Sequence, residues 1–135
     1  MIDQEAALIY AMIMASASDR HMTDDELATI GDLVSHLPAF AQFDPDRLPQ
    51  ASRDCALLLS QKDGMHKAFA AIKGALDKPM RETAYALACD VAASVPRTTM
   101  EERRLLELLR RELEVDTLVA AAMQRASKAR YARAG

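Results

Sequence analysis

Apolar residues recur along the chain in segments that short polar stretches separate. The first segment, AALIYAMIMA from Ala6 to Ala15, is apolar throughout, which predicts a helix buried on most sides and central to the fold. A later segment places Leu105, Leu106 and Leu109 at the three- and four-residue spacing of one helix face. We therefore expect an all-α fold of about seven helices, joined by short connections.

Capping signals give these helices approximate bounds. Thr23 with Glu26, and Thr99 with Glu102, form T-x-x-E capping boxes, each of which predicts a helix start. Pro49 lies close enough to the start of the third helix to be tolerated there or to reset that start. We expect helices from Asp3 to about Ser16, from Thr23 to about Leu37, from Asp44 to about Lys62, from Met65 to Leu76, from Asp77 through RETAYALACDVAA, from Thr99 onward, and from Asp116 to about Tyr131.

The two capping boxes belong to an internal repeat with an offset of 76 residues. At this offset Thr23 pairs with Thr99 and Glu26 with Glu102, and the apolar positions of the following helices also coincide. The repeat predicts two related helical hairpins that pack together, with Leu33, Leu106 and Leu109 in the core between them. One pair breaks the match, because Asp19 corresponds to Val95.

Length and composition place the chain among small cytoplasmic proteins. Its 135 residues suit a single domain spanning 1–135, and aromatic residues are only 4% of the total. The apolar run that ends at Ala15 is about half of what a bilayer-spanning helix needs. Cys55 and Cys89 are isolated in apolar helical segments, which predicts two reduced, buried thiols rather than a zinc site.

The resemblance of the chain to a known family extends over most of its length. The hairpin segments from Ala17 to Glu26 and from Ala93 to Glu102, with the stretches AALIYAMIMASASDRHMTDDELATIG, RETAYALACDVAA and EERRLLELLRRELEVDTLVAAAMQRASKAR, resemble the TerB-like (tellurite-resistance) family. The resemblance implies an all-helical TerB-like bundle, a cytoplasmic location and an association with tellurite resistance or with metal and envelope stress. It implies no reaction.

In that family, acidic residues of the two hairpin loops hold a divalent cation, so the resemblance points to the same residues here. Asp19 and Glu26 match the first loop. The second loop keeps Glu102 but has Val95 and Pro96 where the family has Asp and Gly, which weakens the inference there.

The residues themselves support two interpretations of the acidic cluster Asp19, Asp24, Asp25 and Glu26. Hard cations such as Ca²⁺ and Mg²⁺ bind where several carboxylate oxygens converge, although the spacing does not match an EF-hand loop. Acidic residues in a first turn also stabilise the helix dipole, and Glu26 completes a capping box. We expect either caps alone or a weak cation site, centred on the first loop, with Glu102 a weaker candidate.

The sequence gives little support for catalysis. It shows no nucleophile with a base, no Gly-rich phosphate loop and no HExxH motif. His21, His36 and His66 share no ligand spacing, so we expect surface or loop-edge positions for them. Asp90, within an apolar helix, is a minor candidate for a buried acid with a shifted pKa.

Charge is distributed unevenly along the chain. Residues 1–54 carry ten acidic and three basic side chains, and residues 55–135 carry ten acidic and fourteen basic ones. The basic C-terminal helix, with Arg125, Lys128, Arg130 and Arg133, could contact anionic lipid or an acidic protein, whereas no DNA-reading motif accompanies it.

The sequence therefore predicts a non-enzymatic binding module with a protein partner and an optional Ca²⁺ or Mg²⁺ ion. The alternative is a structural interaction domain without metal, which uses a groove rich in methionine: Met12, Met14, Met65 and Met80.

Overall fold

The computed structural model describes residues 1–16, 23–95 and 98–135. Within these ranges the chain is all-α, with two short 3₁₀ turns at Pro38–Phe40 and Pro45–Arg47. The described residues form seven α-helices, as the sequence predicts: α1 Gln4–Ser16, α2 Asp24–His36, α3 Leu48–Leu59, α4 Gly64–Ala75, α5 Lys78–Ala93, α6 Met100–Glu112 and α7 Thr117–Arg130.

The predicted caps account for most helix starts. Asp77 accepts a hydrogen bond from the backbone N–H of Met80, and Asp116 caps α7 in the same way through the N–H of Leu118. Both T-x-x-E boxes form completely, at Thr23 and at Thr99. The bounds of α2 and α6 differ by 76 residues at both ends, so the repeat of the sequence is also a repeat of local structure.

The third helix differs from its prediction. Asp44 begins a 3₁₀ turn instead of an α-helix, and α3 starts only at Leu48, with Pro49 at its second position. Proline has no N–H to donate, and the first turn of a helix is where that loss costs nothing. Pro49 therefore resets the helix start, and α3 ends at Leu59, short of the predicted Lys62.

The centre of the fold is the pair α1 and α5, which make the most extensive contact of any two helices described. Every residue of α1 from Ala7 to Ser16 is buried, which confirms that the apolar run is the central helix. α1 also packs against α3, α4 and α6, whereas α5 packs against α2, α6 and α7. Because α1 and α5 are the first helices of the two related hairpins, the hairpins pack together through them.

One of the three predicted core leucines is placed differently. Leu106 and Leu109 on α6 are buried, but Leu33 on α2, the counterpart of Leu109, is only partly buried. α6 contacts α1, α4 and α5, whereas α2 contacts chiefly α5 and, less extensively, α1. The repeat gives the two helices the same local pattern, and their different neighbours decide how deeply each leucine is buried.

The two cysteines are buried and unpaired, as predicted. Burial raises the pKa of each thiol to about 12, so both are protonated and unreactive at neutral pH. Among the described residues, no helix combines the length and the apolar character that crossing a membrane requires.

We expect Thr23→Ala and Thr99→Ala each to lower the free energy of unfolding by about 1 kcal/mol, because each hydroxyl accepts the N–H of the third helical residue at 3.1 Å. Urea denaturation measures the loss. Thr83→Ala is the matched control, because that exposed hydroxyl bonds only a carbonyl within its own helix. Losses near zero at both caps would refute the capping energetics.

Candidate functional site: a buried glutamate pair

The first element of the site is the capping box at the start of α2. Thr23 donates its backbone N–H to Glu26 Oε1 at 2.9 Å, and Glu26 donates its own N–H to Thr23 Oγ1. This exchange folds the Glu26 side chain back over the helix end. Glu26 is 2% exposed, so the box holds a carboxylate inside the protein.

The second element is the equivalent box at the start of α6. The N–H of Thr99 donates to Glu102 Oε1 at 3.2 Å, and the Thr99 hydroxyl lies at the same distance from that oxygen. Glu102 is also 2% exposed. Its other oxygen, Oε2, is buried and has no hydrogen-bond donor among the described residues.

The packing of the hairpins brings these two carboxyl groups side by side. Burial raises the pKa of Glu102 above its ordinary value of 4.5, and the charge and contact of the neighbouring Glu26 carboxyl raise it further. Two ionised carboxylates are acceptors only, so neither can satisfy the other. The buried Glu102 Oε2 is therefore a position where a proton or a metal cation would be stabilised.

The other predicted metal ligands do not join this pair. Asp24 and Asp25 are exposed on the first turn of α2, and Asp25 instead faces Arg133, with the two side chains 3.5 Å apart. Asp19 lies outside the described residues. Within the described part of the chain no three His, Cys, Asp or Glu side chains are gathered in a group that could hold a metal ion.

Two of the predicted metal ligands, Glu26 and Glu102, lie next to each other. We expected a site centred on the first loop, with Glu102 a weaker candidate in the second loop. The structure brings together one carboxyl group from each hairpin. The sequence contained a signal for this pairing, since the two residues are repeat equivalents, and repeats that pack around a shared axis bring equivalent positions together.

Asp90, the minor candidate for a shifted acid, has a structural explanation. It is 6% exposed, and its Oδ1 accepts the hydroxyl of Ser127 at 2.6 Å and a guanidinium N–H of Arg130. Both partners belong to α7. Asp90 therefore attaches α7 to α5, together with the nearby hydrogen bond from Gln124 to Tyr85.

The basic C-terminal helix carries less free charge than its sequence indicates. Arg130 is paired with Asp90, and Arg133 with Asp25. Arg125 and Lys128 remain exposed without an ion pair among the described residues. A membrane or partner contact through this helix would rest on these two cations.

The predicted methionine groove does not form. Met12 and Met14 are buried in the core on α1, Met80 is partly buried, and Met65 is half exposed on α4. Because α1 is buried on all sides from Ala7 to Ser16, its methionines fill the core. The predicted surface positions of His36 and His66 are confirmed, and His21 lies outside the described residues.

Comparison of the chain with known proteins gave no match to a family model, to a curated protein or to a solved structure. The relation to the TerB-like family therefore stays a resemblance of residues and motifs.

Proposed function

We propose that this chain is a non-enzymatic helical module that binds a divalent cation between its two hairpins, through Glu26 and Glu102. The observation that carries the proposal is the buried Glu102 Oε2, which has no hydrogen-bond donor among the described residues and lies beside a second buried carboxyl group. A cation between the two groups would replace the repulsion of like charges by two attractive contacts.

The number of donors favours a small hard cation. Ca²⁺ takes six to eight oxygen ligands, whereas Mg²⁺ is often held by one or two carboxylates and retains several waters. The described residues offer two carboxylates, fewer than Ca²⁺ requires, so the pair suits Mg²⁺ or Mn²⁺ better. Because both carboxyl groups are 2% exposed, the starts of α2 and α6 would have to move apart to admit the cation with its waters. With so few protein ligands we expect weak binding, with a Kd on the order of 10⁻⁴–10⁻³ M.

The proposal extends to the cellular role that the TerB-like resemblance implies: a cytoplasmic protein associated with tellurite resistance or with metal and envelope stress, acting with a protein partner. A cation that joins the two hairpins would couple metal occupancy to the packing of α2 and α6 against the central helices. The support for this role is the family pattern of the loops, in which Glu26 and Glu102 match the family's acidic positions.

The test is a thermal melt in chelator and in Mg²⁺ or Mn²⁺ at about ten times the expected Kd, where a bound ligand stabilises the folded state by about 1.4 kcal/mol. For a chain of this length we expect the wild-type Tm to rise by about 3–6 °C. Glu26→Gln and Glu102→Gln should abolish most of this rise. Glutamine preserves the capping oxygen, so both variants fold.

Glu101→Gln and Asp24→Asn are the matched controls, since both remove an exposed acidic charge next to a site residue. They should retain the wild-type rise in Tm. In chelator, Glu102→Gln should melt no lower than wild type, because glutamine carries no charge for the neighbouring Glu26 carboxyl group to repel. A wild-type Tm that the metals do not move would overturn the proposal and favour an interaction domain without metal.

A further inference from the structure

A groove with basic walls lies where the C-terminal end of α5 and the second half of α7 converge on the start of α6. Its volume is about 720 Å³, within the range of pockets that bind small organic molecules. Part of its lining is apolar and includes the buried residues Cys89, Ala92 and Leu106. This part favours a ligand with an apolar body.

The rim of the groove is cationic. Arg103 from α6, Lys128 from α7 and Arg133 beyond α7 all line it, and no acidic side chain of the described residues does. Arg133 shares its charge with Asp25 at 3.5 Å. Arg103 and Lys128 form no ion pair in residues 1–16, 23–95 and 98–135, so their charge is available to a ligand.

The polar groups on the walls are arranged so that a ligand would have to be anionic at one end. Arg103 and Lys128 come from different helices and face the same space, and Thr98 and Tyr131 add hydroxyl groups along the rim. A guanidinium and an ammonium group are the side chains that proteins use to bind carboxylates and phosphates. A neutral apolar ligand would leave both cations without a partner.

We propose that this groove binds a small organic anion with an apolar body, of the class of fatty-acid carboxylates and monoalkyl phosphates. The head group lies between Arg103 and Lys128, and the apolar body covers Cys89, Ala92 and Leu106. The proposal is independent of cation binding, because none of the groove residues belongs to the glutamate pair.

The experiment uses the dye 1-anilinonaphthalene-8-sulfonate, an anion with an apolar body whose fluorescence rises on binding, and its uncharged analogue N-phenyl-1-naphthylamine. We expect the folded wild-type protein to bind the anionic dye more tightly than the uncharged one. The double variant R103Q/K128Q should weaken the anionic dye by about tenfold, since two solvent-exposed charge contacts with the sulfonate are lost. Binding of the uncharged analogue should stay unchanged.

The matched control is R104Q/R125Q, which also removes two positive charges, one from α6 and one from α7, at exposed positions outside the groove. It should keep wild-type dye affinity. Decanoate and decyl phosphate should both displace the dye, and the one that binds with the lower Kd shows whether the groove prefers a carboxylate or a phosphate head group. Inorganic phosphate, which has no apolar body, should displace the dye far less. The proposal would be overturned if R104Q/R125Q weakened the binding of the anionic dye as much as R103Q/K128Q does. It would also be overturned if the wild-type protein bound the uncharged dye as tightly as the anionic one, or if polyglutamate displaced the anionic dye and neither decanoate nor decyl phosphate did.

Discussion

Leu109→Ala is expected to lower the free energy of unfolding by about 2–5 kcal/mol, because truncation of a fully buried leucine removes apolar contacts and leaves a cavity. Leu109 is 0% exposed on α6, a helix that packs against α1, α4 and α5. Those three neighbours surround the side chain, so little of the cavity can collapse. Urea denaturation of wild type and variant gives the loss directly.

The repeat offers a matched control for this prediction. Leu33 occupies the equivalent position on α2 and is only partly buried. Leu33→Ala makes the same chemical change and should cost about 1 kcal/mol. Equal losses at the two positions would mean that α2 is enclosed as completely as α6, which contradicts the described packing.

Gly64→Ala is expected to destabilise the protein by about 3 kcal/mol, although alanine is the better helix former. A Cβ atom at this position would lie 2.5 Å from the backbone oxygens of both Leu58 and Leu59. Backbone atoms cannot rotate out of the way as a side chain can. The turn from α3 to α4, with Asp63 in the left-handed region at φ 57°, would have to open.

Gly74→Ala, in the same helix, is the control with the opposite sign. A Cβ at Gly74 meets no atom within 4 Å, so the substitution should stabilise the protein by about 0.5–1 kcal/mol through helix propensity. Thermal or urea denaturation of the two variants distinguishes the cost of a close backbone contact at Gly64 from the gain in helix propensity at Gly74. A Gly64 variant as stable as wild type would show that the α3–α4 turn is looser than described.

The helices could be predicted from the sequence where a local signal defines them. The boxes at Thr23 and Thr99 give the starts of α2 and α6, because a capping box involves only residues three apart. The start of α3 was harder to predict, since Asp44-Pro45 is an equally good signal for a 3₁₀ turn and for an α-helix. In the folded chain the 3₁₀ turn forms at Pro45–Arg47, and the α-helix starts at Leu48, with Pro49 in its first turn.

The candidate site was predicted in its residues and not in its arrangement. Glu26 and Glu102 are both recognisable from their boxes, but their burial side by side depends on how α1 packs against α5, which no local pattern encodes. In the sequence, Asp24 and Asp25 carry the same charge as Glu26 and are its neighbours, so the sequence gives no reason to separate them as metal ligands. The helix turns them to the solvent, because only the third position of the helix folds back over its cap.

The central claim is that one cation contacts both hairpins at once. The most direct measurement is paramagnetic broadening of backbone amide signals by substoichiometric Mn²⁺, in wild type and in Glu102→Gln. We predict that the signals around Glu26 and around Glu102 broaden together in wild type, and that both effects disappear in the variant. Broadening confined to one hairpin, or centred on exposed acids elsewhere and unchanged by Glu102→Gln, would contradict the account.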